Sequence, residues 1–209
     1  MNTKEEVLKQ ISIIQNTIIN EKPFSPCSKI SIIAWGIISM ILFIFTPIIK
    51  QSTYIIFFIL FFLTIGFLIE YILLKKVNAK FDFIGLTSKQ KQIELRMIFM
   101  FLFATIFTLI LEQNSLQWAI FAVWSFFLGI NNLEIFATTK VNSLKIHGYF
   151  MLISSFFILI SSIIGVDLSK YIFQISLINA FIVGGGYIII GLKCNTKENN
   201  VGSIDTSTY

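Results

Sequence analysis

Six long apolar stretches, at about 30–49, 54–74, 97–112, 117–137, 147–166 and 171–192, hold almost none of the charge in this chain. That arrangement suits lipid. An ionised side chain at the centre of a bilayer costs about 2.5–3.5 kcal/mol on insertion scales. A soluble domain carries about 25% charged residues, and this sequence has 13%. The second stretch, 21 residues from 54 to 74, extends about 32 Å as a helix, enough for a hydrocarbon core of about 30 Å. The reading is an all-α, polytopic integral membrane protein with six transmembrane helices.

Connections and charge add topology. The links Gln51–Thr53, Gln113–Leu116 and Asp167–Lys170 are tight, so the six spans are expected as three antiparallel hairpins. Fourteen of the 16 Lys and Arg residues fall on one side of that arrangement, and only Lys50 and Lys170 on the other. By the positive-inside rule, both termini face the cytoplasm, and the expected location is a bacterial cytoplasmic (inner) membrane. The basic residues flank apolar runs and form no single patch, which argues against a nucleic-acid partner despite a net charge of +5.

Residues 1–29 read as a cytoplasmic helix and linker. Thr3 and Glu6 have capping-box spacing. Val7, Ile11, Ile14 and Ile18 then recur on one helical face, so an amphipathic helix is predicted over about 4–20. Its charged start and the late first apolar run argue against a cleaved signal peptide. That stripe, and the basic connection 75–96, are candidate surfaces for lipid or a protein partner. A short surface helix is predicted within that connection, around Thr87–Leu95. Residues 193–209 are polar and aperiodic, and are expected to be a disordered cytoplasmic tail. No internal repeat is evident.

The order of an amphipathic helix followed by FSPCSKISIIAWGIIS, with Ser25 and Ser28 ahead of Gly36, resembles the opening of some uncharacterised small bacterial six-helix membrane proteins with a cytoplasmic N-terminal helix. The resemblance covers about 45 residues and implies a fold but no activity.

Polar residues inside the spans are few. Glu70 and Glu134 lie near the cytoplasmic ends of the second and fourth spans, and Glu112 ends the third. Asn131 shares a face with Glu134, whereas Asn132 points about 100° away from Asn131. One reading gathers Glu70, Asn131, Glu134, Asn179, Gly185 and Gly186 around a polar cavity, where a carboxylate could bind a cation or exchange a proton. The other lets Glu70 and Glu134 snorkel to the interface and pair with Arg96, Lys75 or Lys140. Ser176, Ala180 and Gly184 recur every four residues, a spacing that suits close helix packing in lipid. Trp35, Trp118 and Trp124 read as packing or interfacial anchors, and His147 as an interfacial residue.

Two cysteines and one histidine fall short of the roughly four ligands of a structural zinc site. No metal or cofactor is expected. G-x-S-x-G, H-E-x-x-H and P-loop patterns are absent from the sequence, so no enzyme activity is expected. The expected function is a non-enzymatic membrane module that binds a partner or lipid. The alternative is a small transporter or channel subunit built on the Glu70/Glu134 cavity.

Overall fold

In lipid a backbone must satisfy its own polar groups, and a helix does so within one segment. A computed structural model of the chain describes residues 29–49, 52–79, 88–139 and 141–193. Every regular element among them is helical. Helix α1 runs Lys29–Phe45, α2 Ser52–Ala79, α3 Ser88–Gln113, α4 Gln117–Thr139 and α5 Asn142–Ile163. The last apolar segment opens with a 3-10 turn, Leu168–Tyr171. It continues as α6, Ile172–Asn179, passes through a π-helical turn at Ala180–Gly185, and ends as α7, Gly186–Lys193. Six of these segments, of 20 to 26 residues, are long and apolar enough to cross a membrane. At about 1.5 Å per residue the shortest reaches about 30 Å.

Large apolar side chains cover the outside. Phe57, Phe61, Phe150, Phe157 and Ile163 are all more than 60% exposed, a surface suited to lipid and poorly suited to water. Hydroxyl groups on these helices are satisfied locally. Thr46, Thr64, Thr105 and Thr108 each donate to the carbonyl four residues back, at 2.6–2.9 Å, so they add little polarity to the segment.

The third span corrects the sequence reading. A surface helix around Thr87–Leu95 and a separate span at 97–112 were expected, but Ser88–Gln113 is one continuous helix. No Gly or Pro interrupts SKQKQIELR, and most of those residues favour helix. The fifth span likewise starts at Asn142, five residues before the expected 147. The predicted helix over 4–20, with Val7, Ile11, Ile14 and Ile18, lies outside the described residues, as do Cys27 and the tail from Cys194.

Two helix ends are closed in the same way. After α5, the Gly165 N–H bonds the Ser162 carbonyl and the Val166 N–H bonds that of Ser161, with Gly165 at φ +87°. After α3, Ser115 and Leu116 make the equivalent bonds to Glu112 and Leu111. Both are Schellman closures, but the second puts a serine at φ +57°.

The fourth span is the centre of the molecule. In it 61% of the apolar window is buried, against 28% in the second and in the fifth. Close backbone approach sets two of its surroundings. Gly129 on α4 faces Gly148 on α5, and a Cβ on either would meet the other's carbonyl oxygen at 2.9–3.0 Å. Gly36 on α1 faces Gly184 in the π turn in the same manner, at 2.6–2.8 Å. The buried Ser176 hydroxyl also donates to the Phe43 carbonyl of α1. The Ser176, Ala180, Gly184 stripe therefore lies where the sixth span packs on α1.

Candidate functional site

Glu70 sits on α2 with only 3% of its surface exposed. The Trp35 indole Nε1–H of α1 donates to its Oε2 at 2.7 Å. Ser31, also buried on α1, interacts with the same carboxyl group, and Glu94 on α3 lies close enough to repel it electrostatically. Among the described residues no basic side chain is within salt-bridge distance of Glu70. Of the cations considered as its partners, Arg96 pairs with Glu134, Lys75 makes no ion pair with Glu70, and Lys140 lies outside the described residues.

Glu134 is different. It pairs with Arg96 of α3, and both side chains reach the surface. An exposed pair of this kind contributes about 0–1 kcal/mol.

A second polar cluster joins α4, α5 and the sixth span. The Tyr187 hydroxyl donates to Asn132 Oδ1 at 2.8 Å. Asn132 Nδ2 faces His147 Nδ1 at 3.2 Å and the Met151 sulfur at 3.5 Å. His147 Nε2 is 2.9 Å from the Ile182 carbonyl oxygen in the π turn. A carbonyl can only accept, so Nε2 carries the proton, and Nδ1 accepts from the Asn132 amide. Donors and acceptors then alternate from Tyr187 through Asn132 and His147 to the backbone. Asn132 is fully buried and His147 is 7% exposed, so the His147 ring lies inside the helix bundle. Deeper along the same helices, Ser125 and Ser154 both donate to Asn179 Oδ1, at 2.8 and 3.3 Å, while Asn179 Nδ2 bonds the Ile175 carbonyl.

Between these groups lie two small cavities. One lies beside Glu70 and is lined by Trp35, Ser39, Glu70, Asn131, Asn132 and Tyr187 together with Ile32, Met97, Phe101, Leu128, Ile135 and Leu144, so most of its wall is apolar. The second, lined by Leu42, Phe43, Thr46, Ile59, Leu63, Phe121 and Trp124 among others, is apolar to a similar degree. A water-sized sphere can move its centre through about 30 Å³ in each. One water needs about 10–15 Å³ by that measure, so each holds about two.

The expected cavity group is thus divided. Glu70 and Asn131 line one cavity together. Glu134 is outside it, paired with Arg96. Asn179 belongs to the serine cluster. A Cβ on Gly185 would meet nothing within 4 Å, whereas Gly186 packs directly on the His147 ring. Trp35 and Trp124 are buried hydrogen-bond donors, the latter to Thr108 at 2.9 Å. Among the described residues no group of three or more His, Cys, Asp or Glu side chains is placed to hold a metal.

Sequence reasoning missed Glu94, Tyr187 and the hub role of Asn132. For Glu94 a signal existed. On one continuous helix, Gln90, Glu94, Met97 and Phe101 fall on a single face, and Met97 and Phe101 line the Glu70 cavity. Nothing local in the sequence links Asn132 to residues 15 and 55 positions away.

Over the described residues these features define an all-helical arrangement of six membrane-length helices whose apolar core encloses buried polar clusters. Comparison with family models, curated proteins and solved structures finds no match to this chain.

Proposed function

We propose that the chain is a small transporter or channel subunit of a bacterial cytoplasmic membrane, passing a monovalent cation or a proton through the Glu70 cavity. Its six helices cross as three antiparallel hairpins with both termini in the cytoplasm. The observation that carries the reading is a buried carboxyl group at a cavity wall with no cationic partner among the described residues. Removing a carboxylate from water costs several kcal/mol unless it is neutralised, and intramembrane acids mark ion and proton paths. The cavity has room for about two waters, so the solute is small, and Glu94 beside Glu70 adds a second carboxyl group to attract a cation. Ser39, Asn131, Asn132 and Tyr187 also line this mostly apolar cavity. The hairpin arrangement is supported by contacts nested about the Asn114–Leu116 turn, Thr108 with Trp124 and Arg96 with Glu134.

The test is flux in liposomes reconstituted with purified protein, under Na+, K+ and proton gradients. The native chain should carry at least one of them, and Glu70→Gln should lower the rate tenfold or more. Glu134→Gln, which changes a surface pair, should leave it within twofold. No flux from the native protein under any gradient sinks the reading, as does equal flux from Glu70→Gln.

A further inference from the structure

The Glu70 cavity and the second cavity have four wall residues in common, Trp35, Ser39, Phe101 and Leu128. The two spaces are therefore neighbours along α1, divided by those side chains. Trp35 is the largest of the four and the one with a directed bond, its N–H to Glu70. Its ring is held on other sides as well. A Cβ on Gly66, one turn before Glu70 on α2, would meet three atoms of the indole at 2.7–3.0 Å, so the ring lies against that backbone. Phe67 meets it edge-on at 5.4 Å and Phe101 lies tilted at 5.6 Å.

We propose that Trp35 is a latch between the two cavities, closed while Glu70 accepts its indole N–H and released when a small cation occupies the carboxyl group. This rests on the cavity reading above and adds its regulation. The indole N–H and a cation compete for the same carboxyl oxygens, so a cation on Glu70 weakens the hold on the indole. With Gly66 blocking one side, the ring can move only away from that backbone. Its displacement joins the Glu70 cavity to the second one, a constriction of the kind that gates by wetting. Of the titratable groups, Glu94 from α3 faces Glu70, Tyr187 from the sixth span shares the cavity wall, and His147 is one hydrogen bond beyond it through Asn132.

The test makes Trp35 the sole tryptophan, by Trp118→Phe and Trp124→Phe, in lipid nanodiscs. Na+ and K+ are titrated against choline, which is too large for the cavity. The latch gives a saturable shift in Trp35 emission with a threefold or greater rise in acrylamide quenching. Glu70→Gln keeps an acceptor for the indole but loses the charge, and should show the unshifted emission at every cation concentration. In the otherwise native chain, Trp35→Phe keeps a ring without the N–H, and its flux in liposomes should be at least tenfold faster. Emission that stays flat in a protein that conducts, or Trp35→Phe flux equal to native, overturns the latch and leaves the cavity reading standing. Absence of native flux overturns both. If the sole-tryptophan chain does not fold, the Trp35→Phe flux decides alone.

Discussion

Asn132 serves Tyr187, His147 and Met151 at once, from a position with no exposed surface. In water the loss of such a hub would leave buried partners desolvated at about 1–3 kcal/mol each. In lipid the reference state also finds partners, and interhelical hydrogen bonds average about 0.6 kcal/mol with a maximum near 1.7. The membrane figures apply here, so Asn132→Leu should destabilise by about 1–3 kcal/mol, read by reversible unfolding in mixed micelles. A change under about 0.3 kcal/mol would mean that the three contacts contribute nothing. The sequence does distinguish Asn132 from Asn131 by helical angle, and the two do serve different neighbours. It could not say which, because His147 and Tyr187 reach Asn132 only once three helices are packed. Glu70 was visible as an intramembrane acid for the same reason that its burial was not: helix position gives depth in the bilayer, but not which face meets protein.

At the scale of elements, the six long helices were legible because each is an uninterrupted apolar run with polar flanks. What was not legible was the joining of a polar stretch to an apolar one. Residues 88–96 are hydrophilic and 97–112 are not, yet the helix continues across that change, since backbone geometry follows propensity while hydropathy follows the surroundings. The π turn is a second instance. At the run Gly184, Gly185 and Gly186 a widened turn at Ala180–Gly185 interrupts the regular helix, with the Ile182 carbonyl taken by His147. The α3 closure supplies a direct prediction. Ser115 holds a left-handed conformation that costs a residue with a Cβ about 1–2 kcal/mol, and glycine returns about 0.5–1 kcal/mol of that as greater freedom in the unfolded chain. Ser115→Gly should therefore raise stability by about 0.5–1 kcal/mol in thermal unfolding. A loss of stability would show that the serine side chain makes a contact worth more than the strain.

For the molecule as a whole, the unequal distribution of Lys and Arg predicts that Cys27 and Cys194 both face the cytoplasm. A membrane-impermeant thiol reagent should label neither in intact spheroplasts and at least one after lysis. Labelling before lysis reverses the orientation, and with it the side from which solute reaches Glu70. The reagent reads only the ends of the chain, so its outcome is independent of the flux and emission measurements.

The placement of α4 also has a consequence for synthesis. Ser125 finds its partner Asn179, and Asn132 its partners His147, Met151 and Tyr187, only in later parts of the chain. A ribosome delivers residues in order, so α4 is made with a polar face whose partners do not yet exist. Earlier residues can steady it, through Thr108 to Trp124 and Arg96 to Glu134. The nascent chain therefore carries its least apolar membrane-length window as an unfinished piece until the last span arrives, and a chain released before Tyr187 leaves that face open to whatever machinery holds incomplete proteins.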